Sequence, residues 1–189
     1  LGVRNVTNNV RPVATPKDLE GVKLRTMKVP AHVATFKTLG ANPTPMNFGE
    51  VYSALQQGVI DGQENPLAII TSQRFYEVQK YLSTTGHVFA VYMPVISKPF
   101  FESLSSEHQK LVREAMAEAR VHQAQLVASE DAAQLEQIRA AGVEVLELTA
   151  DQRQVFADVT ESVRLQYREK VGVETYDNWV SAVVAASGK

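Results

Sequence analysis

Three side chains in one short stretch of the sequence have the chemistry to hold a small acid. Arg25 closes a strand-like segment, Asn65 closes another, and Phe48 begins a helix between them. A guanidinium can grip a carboxylate with two parallel hydrogen bonds, unless an acid of the protein itself takes that place. An amide such as Asn65 can donate to a ligand oxygen or simply hold its own turn, and a ring such as Phe48 can line a ligand or pack in the core.

Other chemistries find weaker support in the sequence. Asp61 and Glu64, with His32, are the candidate acids and bases of a hydrolase or lyase, but a spacing of three on a strand puts the two carboxylates on opposite faces. The sequence contains no phosphate loop, nucleophile elbow or HExxH motif. Three histidines, which we interpret as solvated or packed residues, do not form a metal-binding pattern: His87, His108 and His122. We therefore expect no cofactor and no metal.

The elements that must position Arg25 and Asn65 alternate between strands and short helices. We predict a strand at Lys23–Thr26, a helix at Ala31–Leu39 that stops at Gly40, an extended segment at Pro43–Met46, and a helix at Phe48–Gln57 that stops at Gly58. This alternation is typical of βαβ units and a parallel sheet, where ligands bind at the carboxyl ends of the strands. Arg25 and Asn65 could then face one crevice.

The rest of the chain adds helices and a few strands. Leu1–Arg11 is polar, and Thr15–Asp18 resembles a helix start. We predict the later elements as follows: short helical segments at Leu67–Ser72 and Phe75–Lys80, strands at Tyr81–Thr85, His87–Ser97 and Val143–Leu146, one long helix from Ser105 to Ala141, a helix from the capping box at Thr149 to about Val171, and a final amphipathic helix at Tyr176–Ala186. The long helix would measure about 54 Å, which is more than the width of one small lobe.

Composition excludes several classes of protein and partner but does not identify a function. The chain has 189 residues, a net charge of −2, 44% hydrophobic residues and no cysteine. Its length allows one ordinary domain or two small lobes, and its near-neutral charge gives no reason to expect a nucleic acid as a partner. The lack of cysteine excludes a disulfide scaffold, and no apolar run approaches the ~18 residues of a membrane span.

Several segments together carry a resemblance to a known family. These segments are GVKLR at 21–25, LGANPTPM at 39–46, FGEVYSALQ at 48–56, DGQENP at 61–66, FYEVQKY at 75–81 and VISK at 95–98. In this order and spacing they resemble the second lobe of the solute-binding proteins of TRAP transporters, the DctP type. The resemblance runs from about Gly2 to Val171, and it implies a periplasmic protein that binds a small organic acid and is not an enzyme.

The resemblance also implies roles for individual residues. Arg25 would clamp the ligand carboxylate, Asn65 would contact the ligand, and Phe48 would place a ring beside it. Arg4 resembles a second ligand-binding arginine found in some relatives, with a spacing one residue away from the nearest pattern. Met27, with His32, would tune selectivity.

The resemblance further implies a fold and partners. We expect an α/β, periplasmic-binding-protein-like lobe with a parallel-type sheet flanked by helices, plus a long helix that spans both lobes. Residues 1–97 would form the ligand-binding second lobe with a hinge near 81–97, and residues 98–189 would pack across the lobes. The first lobe is expected to be missing, because the chain begins about where the family crosses into the second. Expected partners are the TRAP permease subunits and a second copy bound through Tyr176–Ala186. A ligand sensor is the remaining alternative.

Overall fold

The computed structural model describes residues 2–186, in which a mixed β-sheet has helices on both faces. The strands of these residues are β1 (Gly2–Asn8), β2 (Lys23–Thr26), β3 (Asn42–Pro45), β4 (Gly62–Pro66), β5 (Tyr81–Ala90) and β6 (Glu144–Leu146). Their order in the sheet is β3-β2-β4-β1-β5-β6. β2 runs parallel to β3 and β4, and β5 runs parallel to β6.

One strand changes the predicted parallel-type sheet into a mixed one. β1 lies antiparallel between β4 and β5, in a polar segment for which we predicted no strand. Its residues are nearly all buried, so its polar side chains must find partners inside the protein.

The helices follow the predicted alternation with some differences. The α-helices of the described residues are α1 (Pro30–Thr38), α2 (Val51–Gln56), α3 (Leu67–Ser72), α4 (Lys98–Ser103), α5 (Ser106–Ala140), α6 (Ala150–Val159), α7 (Glu161–Val171) and α8 (Val173–Ala186), and 3-10 helices occupy Pro16–Leu19, Phe48–Glu50 and Phe75–Val78. Gly40 and Gly58 follow α1 and α2 with φ of 89° and 69°, a region that favours glycine, as the predicted helix ends require.

Two predictions of local structure were wrong in detail, and one helix was missed. The two strands predicted at Tyr81–Thr85 and His87–Ser97 are one strand that ends at Ala90, and residues 91–97 have no regular structure. The helix predicted from Thr149 to about Val171 is interrupted at Thr160. Helix α4 was not predicted.

Two hydrophobic clusters fill the two faces of the sheet. Val6 and Leu24 belong to a cluster with Phe36 of α1 and Phe156 of α6. Leu82 pairs with Thr7, the neighbour of Val6, and therefore lies on the opposite face, in the cluster that contains residues of α2, α3 and α5. The sheet is thus the middle layer of three.

The long helix is present at almost the predicted bounds, with 35 residues, and Ser105 accepts a hydrogen bond from the His108 amide at its start. Its C-terminal part packs on the sheet through Leu135 and Ile138. Apolar side chains of its N-terminal part, among them Leu111 and Met116, are exposed in the described chain.

Candidate ligand-binding site

The predicted site residues from β2 and β4 lie toward the carboxyl ends of these two parallel neighbours. Arg25 is the third of four residues in β2, and Asn65 is the fourth of five in β4. In an α/β sheet, this is the edge where ligands usually bind. The sheet therefore places the two residues on the same side of the fold, as the predicted crevice requires.

Arg25 is a buried cation whose side-chain hydrogen bonds both go to one backbone carbonyl. Only 3% of the residue is exposed, and its Nε and Nη2 donate to the Met46 carbonyl oxygen at 3.2 and 2.8 Å. Within residues 2–186 it forms no ion pair. Burial lowers the pKa of the Arg25 guanidinium, while the nearby Glu64 carboxylate acts to raise that pKa and the Arg4 cation acts to lower it. The arrangement leaves a desolvated positive charge that no acidic side chain of residues 2–186 pairs with directly.

Phe48 stands beside this charge. The Arg25 Cζ atom lies 5.9 Å from the centroid of the Phe48 ring, within the range of a cation–π interaction. The same ring meets Phe75 edge to face, with centroids 6.1 Å apart. Phe48 opens a 3-10 helix and remains 42% exposed.

Arg4 differs from Arg25 because its charge is already paired. Its Nε lies 2.5 Å from Glu64 Oε2, and its Nη2 donates to Glu64 Oε1 at 2.9 Å and to the Glu64 carbonyl oxygen at 2.5 Å. Both side chains are almost entirely buried. A carboxylate held in this way neutralises the guanidinium, and Arg4 has less need of an acidic ligand than Arg25 has.

Glu64 also binds histidine side chains, which makes it the centre of a buried network. His87 Nε2 lies 3.0 Å from Glu64 Oε2, and the other ring nitrogen of His87 bonds the Thr85 hydroxyl at 2.8 Å. His32 Nδ1 lies 3.7 Å from Glu64 Oε1. Burial acts to raise the pKa of the Glu64 carboxyl, but the interactions with His32, His87 and Arg4 outweigh it and hold that pKa well below its ordinary range.

A second chain of hydrogen bonds begins at Asn65. Its Oδ1 accepts from Arg4 Nη2 at 3.0 Å, and its Nδ2 donates to Gln63 Oε1 at 2.5 Å. Gln63 donates to the Thr7 hydroxyl, which donates to Gln79 Oε1, both at 2.8 Å. An amide has two donor hydrogens and two acceptor lone pairs, so Asn65 keeps capacity for a ligand while its plane is fixed by its neighbours.

The structure thus brings Arg4, Arg25, Phe48 and Asn65 to one edge of the sheet. Met27 follows the end of β2 and is half-buried, and no side-chain hydrogen bond links it to the others in the described chain. The partnership of Glu64 with Arg4 and His87 was not predicted, since the partners stand 60 and 23 residues away along the chain. Three consecutive polar residues within a predicted strand end, Gln63, Glu64 and Asn65, were the available signal.

The candidate acids of the alternative enzyme are separated. Asp61 precedes β4 and accepts from the Lys23 amide at 2.8 Å, at the end of the sheet away from Arg25. Glu64 is committed to Arg4. The described part of the chain contains no group of three or more histidine, cysteine or acidic residues that could hold a metal ion. This geometry gives no paired carboxylates for acid–base chemistry.

No helix in residues 2–186 combines the length and the apolar character needed to cross a lipid bilayer.

The sequence model of the family described as bacterial extracellular solute-binding protein, family 7, matches residues 1–170. Among curated proteins, the chain is 43% identical over 157 residues to the 2,3-diketo-L-gulonate-binding periplasmic protein YiaO of Escherichia coli, which covers 83% of this chain and 47% of that protein.

Solved structures agree with the sequence comparison. One is a TRAP periplasmic solute-binding protein of Ralstonia eutropha with bound (S)-2-acetolactate, at a TM-score of 0.92 and 30% identity, covering 97% of this chain and 60% of that one. Another is the sugar acid binding protein of Advenella mimigardefordensis in complex with galactonate, at a TM-score of 0.91 and 32% identity, covering 98% of this chain and 60% of that one.

The chain spans about half the length of the curated relatives it matches. These relatives are named binding proteins rather than enzymes, and several are named periplasmic, which confirms the expected class and location and disfavours the hydrolase or lyase. Because the family model covers residues 1–170 and the fold matches solved members, the chain belongs to the bacterial extracellular solute-binding proteins of family 7.

Proposed function

We propose that this chain forms the carboxylate-binding lobe of a TRAP-type solute-binding protein that captures a small organic acid. The observation that carries the proposal is Arg25, a buried guanidinium without an acidic partner in residues 2–186. A desolvated cation is costly unless an anion compensates it. A ligand carboxylate is the anion that best matches the planar fork of a guanidinium.

The hydrogen bonds of Arg25 indicate how the acid would approach. A guanidinium carries five N–H donors, and the Met46 carbonyl takes one from Nε and one from Nη2. The remaining donors belong to Nη1 and Nη2, which together form the end of the fork. A carboxylate bound end-on would therefore receive two parallel hydrogen bonds from a group whose orientation is already fixed.

The neighbouring residues would shape the rest of the ligand site. Phe48 would cover the apolar part of the ligand, and Asn65 would bond a hydroxyl or keto oxygen with its spare donor and acceptor. Arg4 would act mainly by fixing Asn65, and Met27 would tune the fit. Relatives bind 2,3-diketo-L-gulonate, galactonate and acetolactate according to their names, so hydroxy and keto acids are the ligand class that we propose.

We further propose that the complete site needs a second lobe. In this view residues 1–97 are the binding lobe, the segment 81–97 is the hinge, and residues 98–189 extend across both lobes through α5. The exposed apolar N-terminal part of α5 and the exposed residues around Val95 support this division. Closure of the lobes would bury the ligand and strengthen its pairing with Arg25.

The closed protein would deliver its acid to the subunits of a TRAP permease. A second copy bound through Tyr176–Ala186 stays a prediction, in line with the exposed Trp179 on that helix. A sensor that shows the same domain to a receptor would use the same closure. Transport is preferred because relatives are named components of TRAP transport.

Isothermal titration calorimetry of the chain with 2,3-diketo-L-gulonate, galactonate and acetolactate tests the proposal. We expect Arg25→Ala to weaken binding of the preferred acid at least about 100-fold, and Arg25→Lys to retain part of the affinity because it keeps the charge but loses the fork. Arg120→Ala, on the exposed surface of α5, is the matched control and should bind like the parent. Unchanged affinity in folded Arg25→Ala would overturn the proposed clamp.

A further inference from the structure

A cavity of about 310 Å³ lies between α1, the distal part of β5 and the α6–α7 pair. Polar side chains from each element line it: Thr35, Thr85, His87, Gln154, Arg153 and Arg164. Arg25, Asn65 and Phe48 are not part of its wall, so it is separate from the site described above. Cavities that bind small molecules begin at about this volume.

The charge of this cavity is unbalanced. Arg153 and Arg164 both line it, whereas no aspartate or glutamate does. Neither arginine forms an ion pair in residues 2–186, and Arg153 donates a long hydrogen bond of 3.4 Å to the Thr84 carbonyl oxygen. Other surface arginines of the chain behave differently, since Arg74 pairs with Glu77 and Arg168 pairs with Asp177.

The presence of two arginines in the wall suits an oxyanion with more than one negative charge. Two guanidiniums offer two separate forks, which is more than a single carboxylate requires and matches the several oxygens of a phosphate group. The hydroxyl groups of Thr35 and Thr160 in the wall already donate to the Ala31 and Phe156 carbonyl oxygens, so the donors for an anion are those of the two guanidiniums. Apolar contact is provided by Leu39 and Phe156, so the cavity is not simply an open charged surface.

We propose that this cavity is a second binding site, specific for a phosphate-type oxyanion, in which Arg153 and Arg164 hold the anion. The site does not depend on the carboxylate site, because it uses different side chains on a different part of the fold. Its occupant would lie beside His87, whose Nδ1 bonds Thr85 and whose Nε2 bonds Glu64. The His87 ring is therefore a natural reporter of occupancy.

The test uses the chain with Arg25→Ala, so that an anion cannot be captured at the carboxylate site. Inorganic phosphate is titrated while calorimetry measures binding and NMR follows the imidazole signals of His87. We expect saturable binding at millimolar or lower concentration, with a shift of the His87 signals, and a loss of about tenfold or more in affinity in Arg153→Ala and in Arg164→Ala. Arg120→Ala in the same background is the control and should leave phosphate binding unchanged.

Two outcomes would overturn the proposal: no saturable binding of phosphate, or binding that is equal in the Arg153→Ala, Arg164→Ala and Arg120→Ala backgrounds. Both arginines are exposed, so circular dichroism should show that the variants keep the fold of the parent. Glycerol phosphate is the second probe. If it binds more tightly than inorganic phosphate and depends on the same arginines, the natural occupant is a phosphoester; the reverse order indicates free phosphate.

Discussion

Arg4 of β1 and Glu64 of β4 form a bidentate, buried ion pair between two neighbouring strands of the sheet. The two nitrogens of the fork, Nε and Nη2, lie 2.5 and 2.9 Å from the two carboxylate oxygens, and the side chains are 6% and 0% exposed. Such a pair is nearly neutral in stability as a whole, but the loss of one partner leaves a desolvated charge. The network behind the candidate site should therefore respond strongly to a single substitution.

We predict that Glu64→Gln lowers the free energy of unfolding by about 3–5 kcal/mol, because it keeps the size of the side chain and leaves the Arg4 charge unpaired. Urea denaturation at neutral pH measures the difference. The pair of Lys98 and Glu102, with side chains 83% and 61% exposed, supplies the control. Glu102→Gln should cost less than about 1 kcal/mol. Equal effects of the two substitutions would contradict a structural role for the buried pair.

The Glu64 carboxylate should also make the free energy of unfolding depend on pH. The folded-state pKa of Glu64 lies well below its ordinary value of 4.5, so the unfolded chain binds a proton at Glu64 more readily than the folded chain does. The stability that Glu64 contributes is fully present above pH 4.5 and is lost as the pH falls below it. Urea denaturation from pH 7 to pH 3 should show the parent and Glu64→Gln converging in acid. A difference that stays constant across this range would mean that folding does not shift the pKa of Glu64.

The part of this site that sequence could predict is the part built from local signals. The strand Lys23–Thr26 has the predicted bounds, and the helices after it end before Gly40 and Gly58 as predicted. Because strand and helix ends fix where Arg25 stands, local patterns were sufficient to place it at the edge of the sheet. Its lack of an acidic partner required the structure, since any distant carboxylate could have filled that place.

The elements that sequence missed depend on distant partners. β1 buries Arg4, Asn5, Thr7 and Asn8, and a strand of buried polar residues has none of the alternation by which strands are predicted. The opposite error occurred at residues 91–97, where β-branched and aromatic residues favour a strand. In the described chain that segment has no neighbouring strand to pair with, and composition alone does not supply one.

Gly62 permits the close contact of β4 with β1. A Cβ atom at this position would lie 2.2 Å from the Thr7 carbonyl oxygen and 2.8 Å from Asn8 Cβ. Backbone cannot yield as a flexible side chain does, so Gly62→Ala should destabilise the fold by about 3 kcal/mol. Thermal unfolding measures it. Gly49→Ala is the matched control, because nothing lies within 4 Å of its added methyl group, and it should change stability by less than about 0.5 kcal/mol.

Phe48 would make two contributions to ligand binding that substitutions can separate. Its ring lies over the Arg25 guanidinium, and it also presents apolar surface. Phe48→Ala removes both, and we expect the affinity for the preferred acid to fall about tenfold. Phe48→Leu keeps most of the apolar surface but removes the π-face, and should lose only about threefold. Calorimetric titration with the acid chosen for the Arg25 variants measures both.

The control is Phe100→Ala, which removes a ring that is 56% exposed on α4 and should leave affinity unchanged. Because Phe48 is itself partly exposed, its truncation should cost only about 1 kcal/mol of stability, mostly from the edge-to-face contact with Phe75. A loss of affinity without unfolding therefore reports on the ligand site. If Phe48→Leu is as weak as Phe48→Ala, the ring face is what the ligand and Arg25 need; if both bind like the parent, Phe48 packs against Phe75 and has no part in binding.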